Sequence, residues 1–158
     1  MSDDHVAIQN LVARYALLVD TGDFAGVGDL LADATFIGAN GDFTGRAEIA
    51  AMLDDTVIRY EDGTPRTQHA TSNLAVEVGG DTAIARSYVT IFQALPDFPL
   101  QCIAAGRYRD TFARRNGDWR FVERRVTIHL VGDVSRHLKT ALAGSGSGSS
   151  GTGPTVSP

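Results

Sequence analysis

The sequence predicts an α+β fold in which helices gather on one face of a curved antiparallel sheet. Helical apolar periodicity is confined to residues 3–60, strand-like periodicity follows from residue 66 to 131, and short Gly, Asn, Asp and Pro clusters separate the strands. Helices first and a run of strands afterwards is the order of an α+β architecture.

Ile8, Leu11, Val12, Tyr15, Leu18 and Val19 recur at three- and four-residue spacing, the stripe of an amphipathic helix. Gly22-Asp23 breaks it, and a second short helix turns Val27, Leu30 and Leu31 inward. Residues 35–39 read as a strand, turned by Asn40-Gly41-Asp42. A third helix takes Ile49, Leu53, Val57 and Tyr60 as its inner face and ends at Glu61-Asp62-Gly63-Thr64-Pro65. Strands are expected at 66–78, 82–95, 100–115 and 118–131, with Asn116-Gly117 as the strongest hairpin signal. Residues 133–139 read as a short closing helix.

The 158 residues, 43% of them hydrophobic, fit one domain over residues 1–142 with a sizeable core. From Ala143 the composition turns to Gly, Ser, Thr and Pro, so residues 143–158 read as a flexible tail. A net charge of −5 and a pI near 5.2 argue against a nucleic-acid or anionic-membrane surface. The acidic N-terminus Met1-Ser2-Asp3-Asp4 is unlike a signal peptide and no segment has the apolar length of a membrane span, so the expectation is a cytoplasmic protein. Cys102, the single cysteine, reads as a small core residue. The four histidines show no ligand spacing and no phosphate-binding loop follows a strand, so neither metal nor cofactor is expected.

The residues that invite chemistry are an imidazole, a carboxylate and a phenol set in otherwise apolar elements. Asp20 ends the first helix, where a carboxylate opposes the helix dipole. It either opens the turn Asp20-Thr21-Gly22-Asp23 or serves a site, and residue chemistry alone slightly favours the turn. Tyr15 lies on the buried stripe. His69 opens a strand in which His69, Thr71 and Asn73 share one parity, while Leu74, Val76 and Val78 share the other. Either a bulge shifts the register or both faces are buried. Arg124 shares parity with Val122, Val126 and Ile128, so its charge needs a partner or a ligand anion; Arg125 falls with Trp119, Phe121 and Glu123.

The pattern Leu11-Val12-Ala13-Arg14-Tyr15 with Asp20 and Asp23-Phe24, the segment Arg66-Thr67-Gln68-His69, and Asn116-Gly117-Asp118-Trp119-Arg120-Phe121 with Arg124 resemble the SnoaL-like, nuclear-transport-factor-like superfamily. Within it they resemble the scytalone dehydratase and bile-acid 7α-dehydratase branch. The resemblance covers about residues 3–140. It implies a conical barrel with three N-terminal helices over its concave face and a deep pocket. It further implies His69 and Asp20 as an acid–base pair, Tyr15 and Arg124 (or Arg125) completing the catalytic set, and Gln93, Tyr108, Ile91 and Ile128 lining the substrate site. The second histidine of scytalone dehydratase falls near Gln93, which does not match. The implied activity is a cofactor-free dehydratase or isomerase acting on a hydrophobic cyclic metabolite. The alternative is a ligand-binding protein or the small subunit of a ring-hydroxylating dioxygenase. A homo-oligomer is expected, a trimer before a dimer.

Overall fold

The computed structural model describes residues 2–140, so the expected tail at 143–158 lies outside the described residues. Three helices, α1 (Asp3–Asp20), α2 (Phe24–Leu30) and α3 (Gly45–Thr56), pack with a six-stranded sheet. The strands are β1 (Thr35–Gly38), β2 (Gly41–Thr44), β3 (Thr67–Gly79), β4 (Thr82–Leu95), β5 (Phe98–Arg115) and β6 (Asp118–Val131), in spatial order β2-β1-β6-β5-β4-β3.

The expected barrel does not form. The sheet is open, with β2 and β3 as its two edges, and it is mixed, because β1 runs parallel to β6. Closure would require those edges to pair. Among the described residues the four-residue β2 pairs only with β1, and the long β3 is paired on one side by β4.

Helix α1 crosses this sheet and is tied at both ends. Ser2 caps its first turn, where Asp3 and Asp4 complement the helix dipole. Asp4 accepts from Trp119 Nε1 at 2.9 Å and Arg114 Nη1 at 2.8 Å, fixing the helix start to the β5–β6 hairpin. Ile8, Val12, Tyr15 and Val19 form the buried face. That hairpin turns through Asn116 and Gly117 with φ of 51° and 85°, the positive pair of a type I′ turn.

Local differences from the expected elements have identifiable causes. Residues 41–44 are a strand, with Ala39-Asn40 as the turn between Gly38 and Gly41. Helix α3 stops at Thr56: Val57 and Ile58 are β-branched and leave the helix to meet the C-terminal segment. Ile58 N–H donates to His137 O, Lys139 N–H donates to Thr56 O, and Val57 bridges Leu138. Residues 133–139 are accordingly a strap of turns and an isolated bridge, not a helix. Cys102 is exposed rather than in the core.

A bulge between Ser72 and Ala75, with Asn73 at φ 53°, shifts the register of β3 and accounts for its two parities. A second shift, between Thr111 and Phe112 on β5, changes the parity of β6. It puts Trp119, Phe121 and Arg124 on the buried face together, and Arg125 on the exposed one.

Candidate functional site

Between the helices and the sheet lies a cavity of about 170 Å³, lined mainly by apolar side chains from every layer. Tyr15 and Val19 come from α1, Met52 and Leu53 from α3, and His69, Ile91, Tyr108 and Ile128 from the sheet.

Asp20 reaches it from the last residue of α1. Its carboxylate does not serve the local turn, a task taken by Asp23, which caps α2 by accepting from Gly26 N–H at 2.8 Å. Asp20 instead crosses to β3: Oδ2 accepts from the His69 backbone N–H at 2.8 Å, and Oδ1 from Thr67 Oγ1 at 2.9 Å. Oδ1 also meets His69 Nδ1 at 2.6 Å. A carboxylate can only accept, so Nδ1 carries the proton and the Nε2 lone pair of the neutral ring is free. The His69 side chain is only 7% exposed and Asp20 18%.

Tyr15 and Tyr108 meet edge to face, ring centroids 6.0 Å apart. Behind them Arg124 is wholly buried, its guanidinium 4.2 Å from the Tyr15 ring centroid and 3.8 Å from that of Tyr108. The anion its charge requires is internal. Asp110, directly opposite on β5, accepts from Nε at 2.8 Å and from Nη2 at 2.9 Å. Burial opposes the charge of Arg124, but the Asp110 carboxylate outweighs it and holds the guanidinium cationic. Burial likewise pushes the Tyr15 hydroxyl above the ordinary phenol range, against the pull of Arg124, so it remains an O–H donor. Tyr108 is raised in the same way.

Of the expected site residues, Tyr15, His69, Tyr108, Ile91 and Ile128 line the cavity, and Asp20 joins it through His69. Arg124 lies behind the tyrosines, and Arg125 is exposed beside Glu123 at 3.4 Å. Gln93 is buried outside the cavity wall, where its Nε2 donates to Pro65 O and Arg136 O, each at 3.0 Å.

A residue that the sequence reading passed over, His137, lines the cavity from the strap. Its ring centroid lies 6.3 Å from that of His69, and it is 6% exposed. Burial, with the neighbouring His69 ring, pushes its pKa down to about 4, against the opposing effect of Asp20. Its Nδ1 has no hydrogen-bond partner among the described residues. The signal available in the sequence was slight: one histidine between Arg136 and Leu138 in a short, mostly polar segment with no regular period.

Among the described residues no group of three or more His, Cys, Asp or Glu side chains is placed to hold a metal ion. Among them, too, no helix is long and apolar enough to cross a membrane.

An α-helical layer over a six-stranded sheet, with a buried His–Asp pair at their junction, defines the class of protein. The chain belongs to the SnoaL-like domain family, whose pattern matches residues 1–125. It is similar to an NTF2-like protein with a cystatin-like fold from Novosphingobium aromaticivorans, at 29% identity and a TM-score of 0.67, covering 78% of this chain and 80% of that one. A provisionally assigned aromatic ring hydroxylase from the same organism is 26% identical with a TM-score of 0.67, covering 85% and 96%. A provisionally assigned scytalone dehydratase, also from that organism, shares the fold at 24% identity and a TM-score of 0.67, covering 82% and 87%. No curated protein matches the chain. These relatives are diverse, and what they share with the chain is the superfamily.

Proposed function

We propose that the protein is a cofactor-independent lyase or isomerase that removes an activated proton from a small hydrophobic cyclic metabolite. The observation that carries this reading is the Asp20–His69 pair, 2.6 Å apart and facing an apolar cavity. His69 Nε2 would take the proton from a carbon next to a carbonyl, and Asp20 would hold the tautomer and stabilise the imidazolium. The enolate so formed either expels a β-hydroxyl with its bonding electrons or is reprotonated at another carbon. A hydroxide leaving by the first route takes up the proton held by His69. Tyr15 would donate to the developing oxyanion. Arg124 would act as a positioning residue, orienting the two tyrosines from behind. The working form would be a homo-oligomer, a trimer before a dimer.

Nitrobenzisoxazole is a suitable probe, since base attack on its ring C–H breaks the N–O bond and releases a coloured phenolate. The protein should accelerate that elimination, and both Asp20→Asn and His69→Ala should lose the acceleration. Equal rates in all three proteins would sink the proposal. The likeness to the aromatic ring hydroxylase supports a second reading, a non-catalytic oxygenase subunit. Co-purification with a large iron-dependent subunit, with no proton abstraction by the isolated chain, is its signature.

A further inference from the structure

Beside the Arg136–Asp97 ion pair and the Lys139 Nζ bond to Asp54 O, the strap carrying His137 is held by bonds to its backbone. Gln93 Nε2 and the Tyr60 hydroxyl both donate to Arg136 O, Ile58 N–H donates to His137 O, and Lys139 N–H donates to Thr56 O. These bonds fix the main chain on both sides of the imidazole, yet the ring's own Nδ1 is left without a partner among the described residues. A buried polar group left unpaired costs about 1–3 kcal/mol. An apolar side chain at this place would avoid that cost, and the ring lines the same cavity as His69.

We propose that His137 is a second catalytic residue, a neutral imidazole that donates a hydrogen bond to the substrate oxygen on which negative charge develops, and that the substrate is a one-ring-sized compound bearing that oxygen. The proposal rests on the reading of His69 as the base. Proton abstraction leaves the C–H electron pair on the substrate. That pair forms the new C=C bond as the carbonyl π pair shifts onto oxygen to give the enolate, while His137 keeps its own N–H throughout. The depressed pKa of His137 keeps the ring uncharged at neutral pH, so it acts as a donor without protonating the substrate or repelling the imidazolium forming on His69. The size limit follows from volume. A dry cavity of about 150 Å³ accommodates benzene, and the 170 Å³ found here suits a single ring with small substituents better than a fused steroid.

The probes are para-nitrophenol, a one-ring oxyanion read by its absorbance when bound, and nitrobenzisoxazole. Removing a donor to a charged oxygen forfeits about 1.5–3 kcal/mol, or about ten- to a hundredfold in affinity. His137→Phe should therefore weaken para-nitrophenolate binding by that factor and raise the pH at which the bound phenol ionises. It should also lower kcat for nitrobenzisoxazole with little change in KM. His137→Gln, whose amide N–H restores a donor, should recover part of each effect. In the unaltered protein, the His137 ring nitrogens should shift on titration with para-nitrophenol in a nitrogen NMR spectrum, a readout that needs no variant. The proposal is overturned if those nitrogens do not shift, if folded variants hold the phenolate as tightly as the unaltered protein, or if that protein binds no para-nitrophenol. The base is tested separately: Asp20→Asn with undiminished nitrobenzisoxazole turnover removes the dyad reading, whereas phenolate binding still reports on His137.

Discussion

Asp20 holds His69 at two points, the ring Nδ1 at 2.6 Å and the backbone N–H at 2.8 Å, so one carboxylate fixes both the imidazole and the strand that carries it. Thr67, two residues earlier on β3, completes the grip from Oγ1. The contact spans 49 residues of sequence and joins the end of α1 to the start of β3.

The first prediction ranks substitutions at this contact. Asp20→Asn offers Nδ1 an amide in place of an obligate acceptor and releases the tautomer, so nitrobenzisoxazole turnover should drop about 10²–10⁴-fold, the scale of acid–base catalysis. Thr67→Val removes a single hydroxyl donor to that charged carboxylate, worth about 1.5–3 kcal/mol, and leaves the dyad itself in place, so it should cost less, about a hundredfold at most. Steady-state rates on the two purified variants check the order. Equal losses would mean that the carboxylate acts only as part of the β3 anchor.

The second prediction concerns acid. His137 titrates near its ordinary 6.5 in the unfolded chain and near about 4 in the folded one, so between these values the unfolded state binds more protons. Stability contributed by the neutral ring is thus present above about pH 6.5 and is lost as pH falls through about 4. The full effect approaches about 3 kcal/mol, at 1.36 kcal/mol per unit. The exposed carboxylates Asp62, Asp97 and Asp133 are lowered from 3.8, so their losses begin at lower pH. Urea unfolding at pH 5 and pH 7 should show a smaller difference for His137→Gln than for the unaltered protein.

The third prediction concerns the buried ion pair. Arg124→Met leaves Asp110 as an uncompensated charge at a site with no solvent access and should cost about 3–5 kcal/mol. Replacing both residues with apolar side chains of similar volume should recover most of the loss, as measured by urea midpoints in a double-mutant cycle. If Arg124 positions the tyrosines, the double variant should regain stability while its turnover stays low.

Most helices and strands were legible because mainly helical spacing gives way to strand alternation near residue 66, and each of the long strands is bounded by its own turn residues. The Asp20–His69 contact was legible in its residue types, but its geometry was not, since nothing local in either segment sets the distance between them. The open sheet was hidden for a related reason. Alternation in β1 and β2 is only four residues long, and neither the parallel pairing with β6 nor the absence of a β2–β3 ladder has a local signature. Bulges at Ser72/Ala75 and Thr111/Phe112 each reverse a parity, which is why Arg124 and Phe121 share a face despite their odd spacing. His137 escaped notice because its position is fixed by main-chain bonds to Thr56, Ile58, Tyr60 and Gln93. Gln93 shows the same limit from the other side. It fails to match the residue expected there, yet its amide helps hold the strap that brings a histidine to the cavity.

The fourth prediction concerns the exposed face of the sheet. Arg86 on β4, Arg109 on β5 and Arg125 on β6 are direct cross-strand partners, so three like charges stand in one row. The outer two have carboxylates nearby, Glu77 at 3.9 Å from Arg86 and Glu123 at 3.4 Å from Arg125. Like charges directly opposite on a sheet are destabilising, and Arg109 takes part in two such pairs. Arg109→Thr removes both repulsions and keeps a good strand former, so the urea midpoint should rise at low salt. The gain should shrink at high salt, where the repulsion it relieves is already screened. A midpoint that falls on substitution would show that the row is held by interactions stronger than its own repulsion.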